Sequence, residues 1–173
     1  MKSAIWDNIF KNKQDGHTEV TLAMSQVPVF QGLSERALRE IEHIVHHREF
    51  HEGEVIFNEG DPGLGMYIIL NGKVQILNNQ DPENPIIYSE LGEGDFFGDL
   101  ALVDDADRSA SAISAADTHL IAFFRPELKD ILERFPKMGN KILLNLAQVT
   151  AQRLRKTNEL LMAAQASPQD ESA

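Results

Sequence analysis

Cysteine is absent from the 173 residues. That excludes a disulfide framework, thiolate metal sites, iron–sulfur ligation and a thiol nucleophile. Long apolar runs are missing too, and none approaches the roughly 20 residues that a membrane span requires. The first residues, Met1-Lys2-Ser3-Ala4-Ile5-Trp6-Asp7, lack the basic and apolar regions of a signal peptide. The chain therefore reads as a soluble cytoplasmic protein without a membrane partner. Positive charge is scarce: 16 Lys plus Arg stand against 27 Asp plus Glu, for a net charge of −11. Broad electrostatic binding of nucleic acid needs clustered cations, so that class is disfavoured. What is present, 42% hydrophobic and 25% charged residues, suits one compact domain with an appended helix.

The scarcity is uneven. Residues 1–124 hold 8 basic and 21 acidic side chains, while residues 125–173 hold 8 and 6. Between Lys73 and Arg125 a single basic residue, Arg108, stands among ten carboxylates. An isolated arginine in so acidic a stretch asks for a reason.

Four segments follow from texture. Residues 1–26 form an N-terminal helical extension, with Ile5, Trp6, Ile9 and Phe10 at near-helical spacing and a mobile link around Asp15-Gly16-His17. Residues 27–135 form a β-rich body with flanking helices. Ser34 is placed to cap a helix that buries Leu38, Ile41, Ile44 and Val45 and ends near His46-His47. Short β-branched and aromatic runs then recur at 55–57, 66–70, 73–77, 86–88 and 119–124, separated by turn residues, which argues for a β-sandwich or β-roll. Asn71-Gly72 carries a two-residue hairpin signal, and 78–85 a longer polar turn. Pro126 opens a helix with Leu128, Ile131 and Leu132 on one face, and Phe135-Pro136 ends it. Residues 136–165 form a long C-terminal helix, regular from about Lys137 to Met162, with a stripe of Ile142, Leu146, Val149, Arg153, Leu160 and Ala163. Residues 166–173 are small and polar, a disordered tail.

One segment carries chemistry. Gly98 opens a short apolar turn, Asp99-Leu100-Ala101-Leu102, whose first backbone N–H groups are free to meet an anion. Nine residues beyond Asp99 comes Arg108, followed by the hydroxyl of Ser109. Guanidinium, free amides and a hydroxyl describe a phosphate clamp. The Asp99 carboxylate can accept hydrogen bonds from sugar hydroxyls, so the set suits a small phosphorylated sugar such as a nucleotide. The plainer alternative is that Arg108 pairs at the surface with Asp104, Asp105 or Asp107, and that Asp99 only caps a turn.

Gly98-Asp99-Leu100-Ala101-Leu102 followed by Arg108-Ser109-Ala110 resembles the phosphate-binding cassette of cyclic nucleotide-binding domains. Upstream, the run from Gly60 to Gly72 is similar to that family's glycine-and-apolar signature. The resemblance covers roughly residues 28–162. It implies a mainly β fold, an eight-stranded jelly-roll-like β-roll (a double-stranded β-helix) with flanking helices and a long C-terminal helix. It implies that Arg108 pairs with a cyclic phosphate, assisted by Ser109 and the amides of Gly98, Leu100 and Ala101, while Asp99 accepts the ribose 2′-hydroxyl. Arg153, Thr157 and Asn158 resemble helix positions of the bacterial catabolite activator type. Arg153 is thereby expected to bridge to Asp99, and Thr157 or Asn158 to cap the base. Two positions depart from the family pattern. Asp99 stands where Glu is usual and is one methylene shorter; Asp107 stands where Pro is frequent.

The reading that follows is a stand-alone regulatory domain, not an enzyme. It senses cyclic AMP, or cyclic GMP, and signals to an effector protein by repositioning its C-terminal helix, through which it also forms a homodimer. The alternative is a degenerate roll that no longer binds nucleotide and serves as a dimeric interaction scaffold. No metal is expected: His43 and His47 share a helical face, but no glutamate motif accompanies them. No cofactor is expected either. Direct DNA binding is not expected, because nothing after Met162 could form a winged helix.

Overall fold

The structure, a computed structural model, describes residues 18–78 and 84–166. The expected helix around Trp6, the link at Asp15-Gly16-His17 and residues 167–173 of the expected 166–173 tail lie outside the described residues, as does most of the 78–85 turn; Ala166 itself is the last residue of the long helix. Helix α1 (Glu19–Gln26) starts at a capping box in which Thr18 and Thr21 each satisfy the other's backbone N–H. Ser34 caps α2 (Glu35–Glu42) by accepting from the Ala37 N–H at 3.3 Å.

Helix α2 is shorter than its apolar spacing suggests. It ends at Glu42, and His46–Phe50 form strand β1, paired residue by residue with the strand that ends in Phe124. That partner strand supplies the hydrogen bonds that another helical turn would have made, so tertiary pairing overrides the local period. His43 and His47 therefore never share a helical face. His47 instead meets His119, and His46 meets Glu127 at 2.8 Å. Among the described residues no three metal-ligating side chains converge.

The body is two four-stranded antiparallel sheets. One has the order β1, β8 (Thr118–Phe124), β3 (Gly65–Asn71), β6 (Phe96–Phe97). The other has β2 (Val55–Phe57), β7 (Ser111–Ser114), β4 (Val74–Asn78), β5 (Ile86–Leu91). This is the expected eight-stranded β-roll. Asn71-Gly72 does not make the expected hairpin, because β3 and β4 belong to different sheets. The turn carries the chain across the roll. Gly72 sits at φ +95°, and a Cβ there would lie 2.5 Å from the Asp117 carbonyl, so glycine is required by conformation and by contact. Burial explains the crossing. Strand β3 hides both faces, with Met66 and Ile68 toward the helices and Ile69 toward the roll interior, as a central layer must.

Outside that layer, α3 (Arg125–Arg134) and the first half of α4 (Pro136–Ala166) close the larger core. Phe30, Ile41, Ile121, Phe123, Leu128, Ile131, Ile142 and Leu146 are all buried there. Asn145 fixes α4 by donating to the carbonyls of Val29 and Gln31 at 3.1 and 2.8 Å. Beyond Ala151 every described side chain of α4 is exposed. Of the predicted stripe, Ile142, Leu146 and Val149 are buried against the roll, whereas Leu160 and Ala163 face solvent. Among the described residues no helix is long and apolar enough to cross a membrane.

Candidate functional site

A cavity of about 530 Å³ opens inside the roll. Gly98, Asp99, Leu100, Ala101, Arg108, Ser109 and Arg153 all line it, so the structure brings together seven of the nine residues singled out from sequence. Thr157 and Asn158 are not among its lining residues. They lie further along α4, exposed, with the Thr157 hydroxyl donating to the Arg153 carbonyl at 2.9 Å.

Local pairing places Arg108. The Arg108 N–H donates to the Asp61 carbonyl at 2.8 Å, and the Gly60 N–H donates to the Arg108 carbonyl at 2.9 Å. This short ladder turns the side chain inward, leaving it 8% exposed. Its Nη2 donates to the Gly65 carbonyl at 2.8 Å and its Nη1 to the Gly98 carbonyl at 3.2 Å, while Nε is buried without a partner. No carboxylate lies within ion-pair distance of it among the described residues. Burial pulls its pKa down, and the neighbouring Tyr67 and Asp61 pull it back. An arginine starts so high that it stays charged. The same burial raises the Tyr67 pKa, against the pull of Arg108 and Arg48.

Of the acidic run, Asp105 is engaged elsewhere, while Asp104 and Asp107 line the same cavity as Arg108 without reaching ion-pair distance. Arg125, at the first turn of α3, ion-pairs with Asp105 and donates to three carbonyls: Ala101 at 2.8 Å, and Gly63 and Asp104 at 2.6 Å. It ties the cassette to the start of β3. Sequence reading passed over Arg125, which looked like an ordinary helix-start residue before Pro126. Its one signal was that it ends the basic-poor stretch.

Asp99 is 1% exposed. Arg153 pairs with its Oδ1, while Oδ2 is buried and unpartnered. The Arg153 guanidinium also lies 5.1 Å from the Phe96 ring, which anchors α4 to the cavity wall. The predicted Arg153–Asp99 bridge is therefore present. Gly98 has φ +73°, and a Cβ there would lie 2.6 Å from Arg108 Nη1. Gly98→Ala is expected to cost about 1–2 kcal/mol in backbone strain and to push Arg108 off its seat. Calorimetry should then show at least about tenfold weaker ligand binding, equivalent to about 1.4 kcal/mol. Unchanged affinity would mean that this close approach does not matter.

A buried cation without an ion-pair partner and a buried carboxylate with a free oxygen thus border one cavity. Burying an uncompensated charge is costly, which a fold tolerates where a ligand completes the site. The chemistry admitted is an anion at Arg108 and a hydroxyl donor at Asp99.

Comparison with known proteins agrees with this geometry. The family model described as "Cyclic nucleotide-binding domain" matches residues 47–135. The chain is 32% identical over 135 residues to the cyclic AMP receptor protein of Thermus thermophilus, covering 78% of this chain and 61% of that one. It is 28% identical over 138 residues to a CRP-like cAMP-activated global transcriptional regulator of Mycobacterium tuberculosis, covering 80% and 60%. The crystal structure of the Thermus thermophilus catabolite activator protein superposes with a TM-score of 0.71 at 31% identity, over 80% of this chain and 63% of that one. The chain spans about 60% of the length of these curated relatives.

Proposed function

The chain belongs to the cyclic nucleotide-binding domain family, and from that premise we propose that its cavity senses a cyclic nucleotide, cyclic AMP first, as a regulatory module without catalysis. The observation that carries this is the pairing of uncompensated Arg108 with half-satisfied Asp99 across one cavity. The phosphate of the ligand neutralises Arg108, with Ser109 at the rim. A ribose hydroxyl donates to Asp99 Oδ2. A volume of about 530 Å³ lies within the usual range for small-molecule sites. Titration calorimetry with cyclic AMP and cyclic GMP tests this directly. Saturable heat with either is expected, whereas none at high micromolar protein would leave only the scaffold reading.

The output runs through α4. Arg153 links that helix to the same carboxylate that receives the ligand, so occupancy changes what holds the helix. A ligand shifts such an equilibrium only by its differential affinity for the two helix positions, and Asp99 supplies the difference.

The free half of α4 also supports the expected homodimer, on a different stripe from the predicted one. Leu144, Ala147, Ala151, Leu154, Asn158 and Leu161 recur at alternating steps of three and four, and Leu154 and Leu161 are 60% and 55% exposed. That is the spacing of a coiled-coil seam, with Asn158 as its one polar position. Thr150, Arg153 and Lys156 fall off this stripe. Leu154→Glu is expected to convert a dimer to a monomer in light scattering with the thermal midpoint of the roll little changed. A variant that still weighs as a dimer would rule this seam out.

A further inference from the structure

We propose that Phe57 is a positioning residue for Arg108, a flat platform that stabilises the buried guanidinium without occupying its hydrogen-bond donors. The proposal rests on the cavity being a cyclic nucleotide site.

The Arg108 guanidinium carbon lies 4.1 Å from the Phe57 ring centroid and 5.9 Å from that of Tyr67. The register of β2 against β7 shifts between Val55 and Phe57, a bulge of the kind that re-aims a side chain. Phe57 is then gripped by rings from the opposite sheet. Its centroid is 5.9 Å from Phe97 and 6.0 Å from Tyr67, and those two stack at 5.3 Å with 19° between planes. The platform is thus built from both halves of the roll and holds its place before any ligand arrives.

The choice of partner matters chemically. A carboxylate beside Arg108 would stabilise the buried charge but would compete with a phosphate for it. The negative face of an aromatic ring stabilises the same charge while leaving the N–H edge free. Two of the five guanidinium hydrogens are used on the Gly65 and Gly98 carbonyls, and Nε keeps its donor. The arrangement also requires a planar cation, which arginine supplies and lysine does not. With its rotamer set in advance, Arg108 loses little freedom when an anion binds.

The test uses the whole chain, labelled with nitrogen-15 arginine, and cyclic AMP as the probe. In the free protein the Arg108 Nε–H resonance should be shifted upfield by the ring current of Phe57, and Phe57→Leu should remove that shift. The same substitution should weaken cyclic AMP binding about threefold to thirtyfold. In an Arg108→Lys background Phe57→Leu should cost less than about twofold, because the stacked plane is already gone. A fluorinated phenylalanine at position 57 keeps the shape and drains the ring face; it should weaken binding even if Phe57→Leu lowers folding stability. An unshifted resonance in the wild type would overturn the platform whatever binds. A shifted resonance in a protein that binds no cyclic nucleotide would support the platform and overturn the ligand. Wild-type affinity in both position-57 variants would overturn the positioning role while leaving the site reading intact.

Discussion

Replacing Arg108 with alanine is expected to remove cyclic nucleotide binding, with a loss of about a hundredfold to a few thousandfold. The substitution takes away a buried cation and its charge-assisted hydrogen bonds together, worth about 3–5 kcal/mol to a bound anion. Stability should move much less. The folded protein is relieved of an unneutralised buried charge, which offsets the carbonyls of Gly65 and Gly98 left without their donor. Affinity and stability thus separate, and that separation marks a ligand group as distinct from a structural one. Titration calorimetry beside thermal unfolding reads both. If the variant binds as the wild type does, Arg108 has no part in the site. If it simply unfolds, its role is structural. Arg108→Lys should also lose tenfold or more, because an ammonium cannot reach two carbonyls and present a planar edge at once.

The opposite pattern is expected at Arg125. Arg125→Ala should lower stability by about 2–4 kcal/mol, since three backbone carbonyls lose a shared charged donor in a largely buried place. For a chain of this size each kcal/mol corresponds to roughly 2–4 °C in the midpoint, so the drop should be easily seen by calorimetry. The Asp105 ion pair adds little, because that carboxylate is 92% exposed. The same residue joins Ala101 and Asp104 of the cassette to Gly63 at the head of β3, so losing it loosens the site as well. Amide hydrogen exchange should rise across 99–105 more than in β8. Uniform exchange throughout would show that Arg125 supports the fold but does not clasp the cassette.

These two arginines show how far sequence carries. Arg108 was legible because its context was local: a glycine turn, an apolar helical turn and a hydroxyl within a dozen residues, in a stretch otherwise without positive charge. Arg125 was not, because its partners come from 62 and 24 positions away and are backbone carbonyls, which leave no mark in side-chain identity. Phe57 belongs to the same class. Nothing in Val55-Ile56-Phe57 tells a strand residue from a platform until a bulge turns the ring toward Arg108.

By itself the sequence determined the β-rich body, the helical close, the cassette and the family resemblance. Each depends on residue type and spacing within short windows, where propensity, turn chemistry and apolar period act directly. Tertiary structure alone decided that Asn71-Gly72 crosses between sheets, that α2 stops at Glu42 so that His46–Phe50 can pair with β8, and which stripe of α4 stays free. The reason is common to all three. Backbone hydrogen bonds and buried faces are completed by partners distant in the chain, and the local signal is compatible with more than one of them. The scarcity of positive charge acquired its meaning in the same way. What singles out Arg108 is that the fold buries it beside a cavity and commits Asp105, its acidic neighbour, to another arginine.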